Sequence, residues 1–155
     1  MKIQQEFKYS DAGLNLTKAF EGLRLEAYQD AGGIWTIGYG HTGRDVKPGR
    51  KVTEFEAEVL LRADLRDAIA CVNRCVEVAL EQHEFDALVD FCYNVGRGNF
   101  ERSSLLAKVN LEDFEGAAAQ FGMWVNVDMK PVPGLVRRRA AEAAMFRGQN
   151  KPAEV

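Results

Sequence analysis

Glu21, Asp30 and Thr36 are the residues whose types and spacing suit a shared reaction. Glu21 is expected in the last turn of a helix, where the negative end of the helix dipole opposes ionisation of a carboxylate. Such a residue can remain a proton donor. Asp30 follows beside the Gly32-Gly33 turn, on the far side of a hairpin strand from which it could face Glu21. Cleavage of a glycosidic bond uses that arrangement: one acid protonates the departing oxygen, and a second carboxylate orients a nucleophile or becomes one. Thr36, on the next strand, offers a hydroxyl that both donates and accepts, and so could complete the hold on a water. Residue types alone leave the assignment open. Glu26 suits the acid role on the same grounds, and a carboxylate at a helix end is ordinarily a surface charge.

The elements that must position these residues follow from periodicity. Ser10 and Asp11 are good N-caps, and Leu14, Thr17, Lys18 and Glu21 recur at helical spacing until Gly22, which predicts a first helix over about 11–21. From Leu23 to Val52 the texture turns Gly-rich, aromatic and alternating, with Gly32-Gly33 and Pro48-Gly49 as turns, which predicts a small antiparallel sheet and no strands elsewhere. Thr53 and Glu56 form a capping-box pair, and the stripe Leu61, Leu65, Ala68, Val72, Cys75 predicts one long helix over about 54–75. The remainder is helical: a helix through Phe85, Leu88, Val89 and Cys92 ending near Asn94 and Gly96, then a short one at Leu105, Leu106 and Val109. Asn110 is expected to cap a helix running through Phe114, Ala118, Phe121 and Val125. Pro131 and Pro133-Gly134 break the chain before a last helix through Val136, Ala140, Ala143 and Phe146, with fraying after about 148. The expectation is an α+β protein, a single domain over 1–155 with a sheet lobe at about 23–52 and a helical lobe at about 54–148, the long helix joining them. Clefts between lobes commonly hold ligands, which directs attention to the junction of the first helix and the sheet.

A chain of 155 residues, 46% hydrophobic and 28% charged, can bury a core without staples. Its formal net charge of -3 argues against nucleic-acid binding, since phosphate affinity comes from concentrated Lys and Arg. Arg137, Arg138 and Arg139 form the one basic run, expected to be a solvated face with at most one inward ion pair. Lys2, Gln4, Gln5, Glu6 and Lys8 interrupt any apolar run at the N-terminus, and no later segment has the length to span a bilayer, so no membrane insertion is expected. Cys71, Cys75 and Cys92 are expected to be reduced and largely buried. A metal site at Cys71 and Cys75 is set aside because His41 and His83 lie in other elements. His41 is expected to tie the sheet to the long helix, and His83 to be an exposed helix residue.

Residues 14–42 resemble the active-site region of phage-type lysozymes, glycoside hydrolase family 24. That family carries a Glu, eight residues, Asp or Cys, five residues, Thr signature, which Glu21, Asp30 and Thr36 match at every position. Thr36-Ile37-Gly38-Tyr39-Gly40-His41-Thr42 matches its Gly-rich strand and turn. Gln82 to Gly96, with Phe85-Asp86-Ala87-Leu88 and Tyr93-Asn94-Val95-Gly96, resembles its central helix, and Gly134-Leu135 with Arg137-Arg138-Arg139 and Glu142 the start of its final helix. The likeness covers about residues 10–148. The acidic balance departs from several strongly basic relatives, which weakens long-range attraction to an anionic wall.

The resemblance implies a lysozyme-like fold and an endolysin that hydrolyses the β-1,4 bond between N-acetylmuramic acid and N-acetylglucosamine in peptidoglycan, with no metal and no cofactor. Glu21 would donate the proton, and Asp30 and Thr36 would hold the attacking water. It also implies a monomer made in the host cytoplasm, released through a holin-like pore to lyse the cell. The family aligns an aspartate at Asp64, so His41 is expected to pair with it. Two other readings are a lytic transglycosylase, which would use Glu21 alone and form an anhydro sugar, and a non-catalytic wall-binding module.

Overall fold

A computed structural model describes residues 6–149 of the chain. Within them the first helix, α1 (Asp11–Glu21), has the predicted bounds, and Gly22 follows it with its N–H on the Lys18 carbonyl, 3.0 Å away. The sheet comes next: β1 (Arg24–Gln29), β2 (Trp35–Gly38) and β3 (His41–Thr42) pair antiparallel in chain order. Tyr28 lies opposite Thr36, Gln29 opposite Trp35, and Ile37 opposite His41, with an irregularity in β1 between Arg24 and Tyr28. A single bridge from Glu26 to Lys51 adds the end of the following loop. Thr53 then caps α2 (Glu54–Asp64): its Oγ1 accepts from the Glu56 N–H at 3.1 Å, while the Glu56 carboxylate accepts from the Thr53 N–H at 3.2 Å. Both halves of the predicted capping box are therefore present.

The chain divides into two compact units, 14–66 and 67–149 with 6–13. Leu14, Ile37, Tyr39, Val46, Val52, Ala57, Leu61 and Leu65 are buried in the first. The second is helical: α3 (Arg66–Cys75), α4 (Gln82–Val95), α5 (Arg97–Glu101), α6 (Ser104–Asn110), α7 (Phe114–Gln120) and α8 (Pro133–Phe146). Its core gathers on Phe91, whose ring meets Phe121, Trp124 and Phe100 edge-on with centroids 5.4, 5.7 and 6.3 Å away. A small antiparallel sheet with a larger helical body is the architecture the sequence led us to expect.

Several details differ. The helix expected over 54–75 is two helices, interrupted at Leu65, although Leu65 keeps helical dihedrals of -77° and -15°. Strands are not confined to residues 23–52: β4 (Asn126–Val127) and β5 (Lys130–Pro131) form a minimal hairpin whose turn residues Asp128 and Met129 both have positive φ, 50° and 66°. Asp113, not Asn110, caps α7, its Oδ1 accepting from Gly116 N–H at 3.0 Å. Asn110 instead ends α6 and ties down the chain after α3, accepting from Glu77 N–H at 2.8 Å and donating to the Cys75 carbonyl at 3.1 Å. His83 is half-buried rather than exposed, with Nδ1 3.0 Å from the Met145 carbonyl and 3.1 Å from that of Phe146. It thereby reaches the carbonyls at the end of α8, of which that of Met145 also accepts from Gly148 N–H at 2.9 Å.

The basic run is the largest correction. Arg137 is exposed, but both Arg138 and Arg139 are buried. Arg138 makes a two-pronged contact with Asp90, Nε to Oδ2 at 3.0 Å and Nη2 to Oδ1 at 2.9 Å. Arg139 bonds Glu142, Asn94 and the Trp124 carbonyl. At 100° per residue two neighbours on one helix can share an inward face when acids wait there, and Asp90 and Glu142 supply them.

Cys71, Cys75 and Cys92 are free thiols, as expected; the first and last are buried and Cys75 is half-buried. Burial, with the adjacent Cys75, pushes the Cys71 thiol up to about 11. The sequence argument that Cys71 and Cys75 have no further ligand nearby does not hold, because α5 brings the Glu101 carboxylate beside them. Among the described residues no helix is long and apolar enough to cross a membrane. The fraying expected after about 148 and the polar N-terminal run largely lie outside the described residues.

Candidate active site

The β1–β2 hairpin places Asp30 and Thr36 by simple alternation. Tyr28 faces Thr36 across the pair, and position 30 continues the face of position 28, so Asp30 and Thr36 belong to one face of the hairpin. The turn between them is organised by Asp30 itself. Its backbone N–H donates to the Ile34 carbonyl and its own carbonyl accepts from Gly33 N–H, both at 2.9 Å. Its side-chain Oδ1 accepts from Gly32 N–H at 2.8 Å and Ile34 N–H at 2.9 Å, which leaves Oδ2 outside the bonding of the turn. Asn and Asp commonly build turns in this way, and here the device also fixes the carboxylate. Thr36 is buried, and its hydroxyl donates to the Ile34 carbonyl at 2.9 Å, so its oxygen remains available as an acceptor. Ile34 thus links the two residues through its N–H and its carbonyl.

Glu21, half-buried at the end of α1, lies against the turn that follows β2. A Cβ at Gly40 would sit 3.1 Å from Glu21 Oε2, and Gly40 has φ of +82°. The left-handed backbone strains any side chain there, and a Cβ would crowd the Glu21 carboxylate. Gly38, at φ +67°, is likewise constrained, since a Cβ would stand 3.3 Å from that of Ala57 on α2. The two glycines let the strand press against the helix on one side and Glu21 on the other. Glu26, the rival acid, is exposed on β1. Half-burial against a glycine turn separates Glu21 from Glu26, a distinction residue type alone did not provide.

All three residues lie within the span, residues 18–142, that matches the sequence profile of the phage lysozyme family. The chain belongs to that family. An endolysin of Acyrthosiphon pisum secondary endosymbiont phage 1 is 43% identical over 141 residues, covering 88% of this chain and 96% of its own. An endolysin of Bacillus phage PZA is 47% identical over 139 residues, again 88% of this chain but 54% of the relative, so the chain spans about half that protein's length. Among solved structures, the muramidase domain of SpmX from Asticaccaulis excentricus superposes with a TM-score of 0.85 at 40% identity, covering 94% of this chain and 99% of that one.

In this phage lysozyme chain, charged pairs secure the elements around the hairpin. His41 Nδ1 lies 2.8 Å from Asp64 Oδ2, which is the expected pair. The sequence did not point to a second partner, Asp45, whose Oδ2 is 3.0 Å from His41 Nε2 and 2.6 Å from Arg50 Nη1. Burial opposes the imidazolium, but the hydrogen bonds and charges of Asp64 and Asp45 outweigh it and raise the His41 pKa above 6.5. The Arg50 guanidinium, then His41, hold the Asp45 carboxyl below its ordinary range. On α1, Lys18 pairs with Glu58 of α2 and stands 5.6 Å from the centre of the buried Tyr39 ring. Tyr39 therefore serves packing, and His41 joins β3 to α2.

Proposed function

We propose that this chain is a muramidase that hydrolyses the β-1,4 bond between N-acetylmuramic acid and N-acetylglucosamine in peptidoglycan, acting as a single lysozyme-like catalytic domain. Glu21 protonates the departing glycosidic oxygen. Asp30 and Thr36 hold the water. The observation that carries the reading is the joint bonding of Asp30 and Thr36 to Ile34, with Thr36 already donating its proton. A water that gives one hydrogen to Asp30 and the other to Thr36 keeps a lone pair for attack, and two acceptors are what that water needs. An inverting path follows, with carboxyl groups roughly 6.5–9.5 Å apart to leave room for the water, whereas about 5 Å would suit a covalent retaining path. The muramidase named among the similar structures and the endolysins among the relatives support the substrate class. We further propose that the enzyme acts as a monomer, accumulates in the host cytoplasm and reaches the wall through a separate holin-like pore.

Product analysis of purified peptidoglycan tests the assignment. Wild type should release fragments with new reducing N-acetylmuramic acid ends, and Glu21→Gln, with unchanged circular dichroism, should release almost none. Anhydro-sugar ends would instead indicate a transglycosylase. Near-normal digestion by Glu21→Gln, or a greater loss in Glu26→Gln, overturns the role of Glu21.

A further inference from the structure

Cys71 and Cys75 stand one turn apart on α3, the spacing by which a helix presents two ligands to one metal ion. Their sulfurs are 3.9 Å apart. Two thiolates bound to a tetrahedral zinc at ~2.3 Å each must lie about 3.8 Å apart, so the pair needs almost no movement to share an ion. The third donor is Glu101 at the end of α5, whose Oε1 is 3.7 Å from the Cys71 sulfur. A zinc-bound sulfur and carboxylate oxygen are separated by about 3.5 Å. The ligand atoms of all three residues lie within 4.8 Å of one another.

The surroundings suit such an ion. Arg74 Nη2 donates to Glu101 Oε1 at 2.8 Å, so the carboxylate is already oriented by a charged partner, as ligating carboxylates commonly are. Two thiolates and one carboxylate around a divalent cation leave a net charge of -1, which Arg74 offsets. Cys92 on α4, itself buried, closes the cluster on its interior side. Cys75 is half-buried and Glu101 exposed, which gives a metal ion access and leaves the fourth position to water.

We propose that Cys71, Cys75 and Glu101 form a binding site for a thiophilic divalent cation of the zinc class, in the helical unit and separate from Glu21, Asp30 and Thr36. Two sulfurs select a soft or borderline ion over calcium or magnesium. On binding, each thiol loses its proton to solvent and forms one sulfur–metal bond, with no change of oxidation state. The ion joins α3 to α5 and so stabilises the native state in proportion to its occupancy.

Cobalt(II) titration of the full-length, fully reduced chain reads the site directly, because thiolate ligation produces a ligand-to-metal charge-transfer band and tetrahedral geometry intense visible bands. One equivalent should bind, zinc should displace it, and native mass spectrometry should show one zinc per folded chain. Cys75→Ser should abolish the charge-transfer signature while keeping the circular dichroism spectrum. Glu101→Gln should weaken binding by about tenfold or more, as loss of even an outer partner of a metal ligand does. Zinc should raise the thermal midpoint of wild type and leave that of Cys75→Ser unmoved. A reduced wild type without the thiolate band overturns the proposal, as does a band that survives Cys75→Ser or an affinity unaffected by Glu101→Gln.

Discussion

At the scale of single residues, the proposed division of labour makes Asp30 and Thr36 separable by substitution. Asp30 carries two duties: Oδ1 closes the β1–β2 turn, and the carboxylate is available to accept from water. Asp30→Ala removes both and should lose most activity together with some stability. Asp30→Cys, which the family signature accepts, should retain partial activity, and turnover and thermal midpoints measured side by side will separate the two duties. Thr36→Val keeps the shape and removes the hydroxyl. If the hydroxyl acts on water in the transition state, kcat should fall while KM stays nearly unchanged; a rise in KM at constant kcat would mean that Thr36 binds sugar instead. The buried Thr36 also loses its bond to Ile34, so a cost of about 1 kcal/mol in stability is expected. The residue types and spacing of this trio were legible in the sequence. Their linkage through Ile34 was not, because it depends on a turn geometry that any of several loop conformations could have replaced.

Elements are held by caps and cross-pairs whose contributions depend on pH. His41 fastens β3 to α2 through Asp64, and to its own loop through Asp45. Since the folded His41 is raised above 6.5, its stabilisation is complete below that ordinary value and is lost as pH rises through the higher folded one. Asp45 is depressed below 3.8, so its share is present above that value and disappears as pH falls through the lower folded one. Thermal midpoints of wild type should therefore decline on the alkaline side of His41's titration. His41→Asn should flatten that decline, and an NMR titration of His41 showing a lowered value would contradict the account. Thr53→Ala, which removes one half of the capping box of α2, should cost about 1 kcal/mol in chemical denaturation. The capping box and the apolar stripes made most helices legible. The break at Leu65 was not, because Leu61, Leu65, Ala68 and Val72 are all buried and the stripe runs through the interruption without a sign. Nor was the β4–β5 hairpin, whose strands have two residues each and whose turn uses Asp128 and Met129 where glycine or asparagine would have signalled positive φ. The short α5 was missed as well, since Phe100 is the one apolar residue of Arg97–Glu101, and with it went the approach of Glu101 to the cysteines.

For the molecule as a whole, stability rests on a helical core that encloses two arginines, Arg138 and Arg139, together with the acids Asp90 and Glu142. Native domains are stable by only about 5–15 kcal/mol, so a group of buried ions can decide whether the fold survives. Arg138 faces Asp90, Arg139 faces Glu142, and all four residues are at most 5% exposed. Burial, followed by the neighbouring Asp90, drives Glu142 well above its ordinary value, with Arg139 acting in the opposite direction. Glu142 Oε2 has no hydrogen-bond partner. The raised value means that Glu142 contributes most when protonated, below its unfolded value of 4.5, and that this contribution is lost as pH rises toward the folded value. Glu142→Gln supplies a neutral group of the same shape at every pH. It should therefore be close to neutral in acid and gain relative to wild type as pH rises through the folded-state titration. Arg138→Ala should behave oppositely, since it leaves Asp90 charged and buried without its two-pronged partner. Loss of one member of such a pair costs about 3–5 kcal/mol. In a chain of this size that lowers the thermal midpoint by on the order of 10 °C. Replacing both partners, Arg138→Met with Asp90→Leu, should recover much of that loss, because removing both charges also removes the cost of burying them. Thermal and denaturant unfolding of Arg138→Met, Asp90→Leu and the double variant form a cycle that measures this coupling. If Arg138→Ala costs no more than an exposed arginine would, or if the double variant is no better than the single, the Arg138–Asp90 pair is not what holds α4 against α8.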